Sequence, residues 1–87
     1  MKDYKKIIDE ILQELKTEFS SNHLPFTKIL NYEFIEGKLY GLYEQISRET
    51  TPEDFRKIYE YRHEERTALE KKYNFELINP IYNKVNL

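Results

Sequence analysis

Apolar residues recur along this chain at three- and four-residue steps. In the first segment Tyr4, Ile7, Ile8, Ile11, Leu12, Leu15 and Phe19 fall on one stripe, while Lys6, Asp9, Glu10, Gln13, Lys16 and Thr17 fill the other side. That period predicts an amphipathic helix over 3–20 with Asp3 as its N-cap. Ser20-Ser-Asn-His-Leu-Pro25 breaks the pattern with small polar residues and a proline, and reads as a loop. A second stripe, Tyr32, Ile35, Leu39, Leu42 and Ile46 with Tyr43 alongside, predicts a helix over 27–49 with a bundle-type seam.

Thr51-Pro-Glu-Asp54 carries the strongest local signal in the chain. Threonine caps, proline fits the first helical position, and the two acids complement the positive end of the helix dipole. The helix begun there is expected to run over 52–73, with Phe55, Ile58, Tyr59, Leu69 and Tyr73 on its apolar side. Charge interrupts that side at Tyr61-Arg-His-Glu-Glu-Arg66, which places Arg62 and Arg66 at its centre. Residues 74–87 remain apolar through Phe75, Leu77, Ile78, Ile81, Tyr82, Val85 and Leu87, and need a surface to cover. Asn79-Pro80 would cap a short final helix; an extended arm is the competing reading.

The pattern therefore predicts a single all-α domain over 1–87, a three-helix antiparallel bundle with an apolar C-terminal arm. Its expected core is Ile8, Ile11, Leu15, Phe19, Ile35, Leu39, Leu42, Ile46, Phe55, Tyr59 and Leu69. The short connection at Thr50–Thr51 is what favours antiparallel neighbours.

Gly37 and Gly41 are the only glycines, and both fall inside the second helix. Each costs roughly 1 kcal/mol relative to alanine in a helix interior. Placed at about 100° per residue, they share a face with Leu30 and Phe34, opposite the aliphatic seam. Close approach of another backbone would compensate the cost. The first helix or the C-terminal arm could supply that backbone, or a second copy or partner protein could. The lipid-specific meaning of Gly-x-x-x-Gly does not transfer to a segment flanked by Lys38 and glutamates.

Composition adds limits. Charged residues make up 34% and the net charge is −2, with both signs interleaved. No global field draws in nucleic acid or an anionic membrane. No apolar run is long enough to span a bilayer, the N-terminus has charges where a signal core would lie, and there is no cysteine; the expectation is a cytoplasmic protein. Eight tyrosines and five phenylalanines with no tryptophan suit half-buried edges and interfaces.

Catalytic chemistry finds little material. Serine and histidine approach one another only at Ser20–His23, no glycine-rich loop cradles phosphate, and the carboxylates sit on solvated faces. Glu60 and His63 match the Glu-x-x-His spacing of di-iron bundles, yet lean away from the apolar face. No cofactor, metal or small-molecule substrate is indicated, and a non-enzymatic role is expected. Arg62 and Arg66 are candidates for gripping an anionic partner, or else pair with nearby acids.

The function expected is a protein-protein interaction or regulatory module, binding a protein partner or itself as a homodimer. Its candidate partner-binding residues are Phe34, Gly37, Tyr40, Gly41, Arg62, Arg66, Ile81 and Tyr82. Two alternatives are kept. One is a nucleic-acid-associated accessory protein using Arg56, Lys57, Arg62 and Arg66. The other, suggested by a composition common in small helical proteins of bacteria and phages, is an inhibitor or immunity-type protein binding one host enzyme.

Overall fold

Helix α1 (Tyr4–Phe19) forms where the first stripe lies, and Asp3 caps it by accepting from the Lys6 amide at 3.1 Å. Helix α2 (Pro25–Glu49) begins with its proline in the first turn and runs without interruption. Helix α3 (Pro52–Glu60) is capped by the Thr51 hydroxyl, which accepts from the Asp54 amide. Helix α4 (His63–Tyr73) passes through a π-helical turn (Asn74–Ile78) into helix α5 (Asn79–Val85). The computed structural model describes residues 3–85, with side chains described as far as Tyr82. The expectations for Val85 as a packing residue and for Leu87 lie outside that range.

The fold is all-α, elongated to 48 × 24 × 19 Å. Helices α1 and α2 make the principal pair; α4 packs on α1, and the π-helical turn on α2. Ile8, Ile11, Leu12 and Leu15 of α1 meet Tyr32, Leu39, Tyr43 and Ile46 of α2, with Leu69 and Tyr73 closing the core from α4. Six of the eleven expected core residues are buried there: Ile8, Ile11, Leu15, Leu39, Ile46 and Leu69. Phe19, Ile35, Leu42 and Phe55 are half-buried against it. Tyr59 departs from expectation, standing 40% exposed, and three other tyrosines, Tyr32, Tyr43 and Tyr73, take buried places. Tyr32 and Tyr73 stack with ring centroids 4.0 Å apart, and Phe19 meets Tyr32 edge-on at 5.3 Å. The Tyr73 hydroxyl reaches out of this cluster to donate to Glu33 Oε1 at 3.1 Å.

The helix expected over 52–73 is broken. Arg62 adopts φ 60°, ψ 25°, the left-handed region, and separates α3 from α4. No glycine or asparagine announces the corner. Its support is tertiary: Asp9 on α1 accepts from the Tyr61 hydroxyl at 2.9 Å and from Arg62 Nε at 3.1 Å. The expected cap at Asn79 is also corrected. Asn79 keeps helical angles, φ −60° and ψ −44°, and the chain stays helical across it. Pro80 has no amide to give to the Glu76 carbonyl, and its ring crowds that carbonyl in a regular helix. The π-helical turn ahead of it widens the backbone, with the Asn79 amide donating to the Asn74 carbonyl. The wide turn also carries the apolar side past Glu76, so that Leu77 and Ile78 follow Tyr73 onto the core.

Candidate interaction surface

One face of α2 is covered by none of the described residues. Phe26, Leu30, Phe34, Gly37 and Gly41 follow at steps of four, four, three and four, which keeps them in line along a helix. Phe26 is 67% exposed, Leu30 66% and Phe34 68%. Continuing the same line, a Cβ built on Gly37 or Gly41 meets nothing within 4 Å. The expectation that α1 or the C-terminal arm crosses α2 at the glycines is therefore not met by any described residue. Those elements pack on the opposite side, because Tyr32, Leu39, Tyr43 and Ile46 point there.

The surface has two unlike halves. Its N-terminal half bears bulky side chains, while its C-terminal half is bare helix backbone at the two glycines. Tyr40, 55% exposed, borders the bare half. Lys38 lies 5.2 Å from the centroid of the Phe34 ring and 3.6 Å from Glu14, so the flank is charged but internally matched. Beyond Gly41 the line ends at Glu44 and Arg48, which pair with each other.

Phe34, Gly37, Tyr40 and Gly41 are thus brought onto one surface, and the other candidates are not. Arg62 is held at the α3–α4 corner by Asp9 and lies 5.0 Å from the Tyr61 ring centroid. Arg66 is half-buried: its guanidinium covers the rings of Tyr59 and Tyr43, at 4.7 and 5.1 Å, and donates to the Tyr59 carbonyl. The corner takes the two arginines off a common helix face. Arg56 stands exposed on α3, and Lys57 lies 3.8 Å from Glu53. Ile81 is half-buried and Tyr82 exposed on α5, a different element. Phe26 and Leu30 are absent from the sequence-predicted site. Phe26 lies outside a helix begun at 27, whereas the observed start at Pro25 brings it onto the line.

The corner also separates Glu60 from His63, one ending α3 and the other opening α4, so their Glu-x-x-His spacing is not a helical one. Among the described residues no group of three or more histidine or acidic side chains is arranged to hold a metal ion. His23 is tied into the α1–α2 connection, its Nδ1 2.7 Å from Glu18 Oε2. Glu18 also accepts from Asn31 at 3.1 Å and Ser21 at 3.2 Å, and these bonds, His23 foremost, hold its carboxyl below the usual range. Asp9 is held low chiefly by the Tyr61 hydroxyl and then by Arg62. Glu36 is pushed up by burial, with Glu70 and Glu33 adding like charge. It lines a cavity of about 30 Å³ with Tyr32, Tyr40, Arg66 and Glu70.

No described helix is long and apolar enough to cross a membrane. In comparisons with known proteins the chain matches no family model, no curated protein and no solved structure.

Proposed function

We propose that this chain is a non-catalytic protein-protein interaction module whose working surface is the outward face of α2. The carrying observation is the uncovered line of Phe26, Leu30, Phe34, Gly37 and Gly41. Three large apolar side chains left in water on one line are unusual for an isolated helix face, and contiguous patches of that kind mark contact surfaces. The glycines add a second cost, since each weakens the helix relative to alanine while no described residue packs where its Cβ would lie. Both costs are offset if a partner covers the face.

Recognition on this face is apolar and shape-led. Phenylalanine supplies contact area at low entropy cost, and glycine lets a partner's atoms reach the helix backbone. Arg62 and Arg66 serve in this reading to shape the scaffold, because their charged groups already lie against Asp9 and against tyrosine rings.

The test is quantitative capture by the immobilised wild-type chain and a Phe34→Glu variant, with Glu53→Gln as a control on exposed α3. The reading expects association that survives Glu53→Gln and is lost with Phe34→Glu, both variants keeping wild-type helical circular dichroism. Equal retention by all three, with self-association included among the readouts, would overturn it.

A further inference from the structure

We infer that the occupant of the outward α2 face is a second copy of this chain, crossing antiparallel so that Phe34 seats on the other copy's Gly37 and Leu30 on its Gly41. This rests on the interaction-module reading above and commits it to one partner.

The shape of the face itself favours this pairing. Leu30 and Phe34 are four residues apart, and so are Gly37 and Gly41. The two knobs and the two notches therefore share one axial spacing, about 6 Å at the helical rise per residue. A twofold axis between residues 35 and 36 lays the bulky half of each copy on the bare half of the other, and satisfies both pairings twice. A parallel pair would instead set phenylalanine against phenylalanine and glycine against glycine, splaying one end and leaving the other empty. Self-complementarity about a twofold is what an isologous dimer surface requires.

Space and area agree. Outside the local backbone of α2 itself, no described atom lies within 4 Å of the place either glycine's Cβ would take, so no described residue obstructs an arriving side chain there. Taking about 200 Å² for an aromatic residue and somewhat less for leucine, Phe26, Leu30, Phe34 and Tyr40 leave roughly 500 Å² in solvent on each copy. Covering both copies removes about 1,000 Å² with these side chains alone, at the threshold of a specific interface. The glycine backbone and the flanking stems of Lys38 and Glu33 add to it.

The chain has no cysteine, so engineered thiols report without background. Leu30→Cys and Gly41→Cys are made separately, equilibrated together when reduced, and then oxidised gently beside a Glu53→Cys control. Both substitutions suit the fold, since Leu30 is exposed and the Gly41 position is open. The inference expects the mixed disulfide, joining one Leu30→Cys chain to one Gly41→Cys chain, to exceed either same-variant disulfide several-fold. It also expects that product to disappear when Phe34→Glu is added. A dominant disulfide between two Leu30→Cys chains would overturn the antiparallel register. Cross-linking no greater than the Glu53→Cys control, with a monomeric wild-type mass, would overturn the second copy as occupant. If that monomer still shows Phe34-dependent capture of another protein, the interaction-module reading stands without this inference; if it shows none, both fall.

Discussion

Tyrosine is placed by what happens to its hydroxyl. Tyr73 buries its ring and delivers its hydroxyl to Glu33, whereas the Tyr43 hydroxyl is buried with no hydrogen-bond partner among the described residues, as is Arg66 Nε. A buried hydroxyl without a partner loses its hydration and gains nothing in return. Tyr43→Phe is accordingly expected to leave stability unchanged or raise it by up to about 1 kcal/mol, while Tyr73→Phe lowers it by about the same amount. Urea unfolding of the two variants checks both signs. Arg62 offers a second residue-scale prediction, because its left-handed backbone is tolerated for the sake of the Asp9 contact. Asp9→Ala should lower the melting temperature by several degrees. Adding Arg62→Gly to Asp9→Ala should recover part of the loss, since glycine takes this conformation freely and the ion pair is already gone. Recovery no better than with Arg62→Ala would contradict that account.

At the scale of elements, helix α2 combines a buried seam with an uncovered line, and its glycines belong to the second. In a Phe34→Glu background, where the face has lost its anchor, Gly41→Ala should stabilise the chain by about 0.5–1 kcal/mol, because the added methyl meets no described atom beyond the local backbone of α2. Destabilisation there would mean that the glycine serves the chain's own packing. Helices α1 and α2 were legible in the sequence because each carries a sustained helical period, and α3 because Thr51-Pro-Glu-Asp54 is a complete start signal. The corner at Arg62 was not legible. Left-handed backbone is ordinarily marked by glycine or asparagine, and here its support comes from Asp9, fifty-three residues away. Pro80 was visible but ambiguous, since proline suits a helix start and is also accommodated by a wide turn within a continuous helix. The face of α2 was half legible: the wheel placed Leu30, Phe34 and both glycines together, but periodicity alone cannot say that no other element of the chain lies over them.

For the whole molecule, titration and assembly are the two global properties at stake. Asp9 and Glu18 are held below the ordinary carboxylate range in the folded state. The unfolded chain therefore takes up their protons first, and the stability they supply is complete above that range and lost as pH falls through the lowered values. Glu36 has the opposite sign. Its raised value means that its contribution is present below the ordinary range, near pH ~4, and is lost as pH rises through the folded value. Glu36→Gln should thus raise the melting temperature at about pH 7 and show little benefit at about pH 4, a difference that thermal scans at the two pH values resolve. A gain equal at both would remove the role assigned to burial and to Glu70.

Assembly depends on the same face of α2. The outward face of α2 is covered by none of the described residues, and the proposed antiparallel pairing makes it self-complementary and close in area to what a specific pair requires. Gly41→Leu fills the proposed notch at a position open within the chain, so folding and association are separable. The direct measurement is sedimentation equilibrium over a wide concentration range on the wild-type chain and on Gly41→Leu, with helical circular dichroism recorded for both. The account predicts a wild-type mass approaching twice the 10.7 kDa of the chain, and a folded Gly41→Leu variant at the single-chain mass. A wild type that stays at the single-chain mass throughout, or a Gly41→Leu variant that pairs as tightly as the wild type, would contradict it.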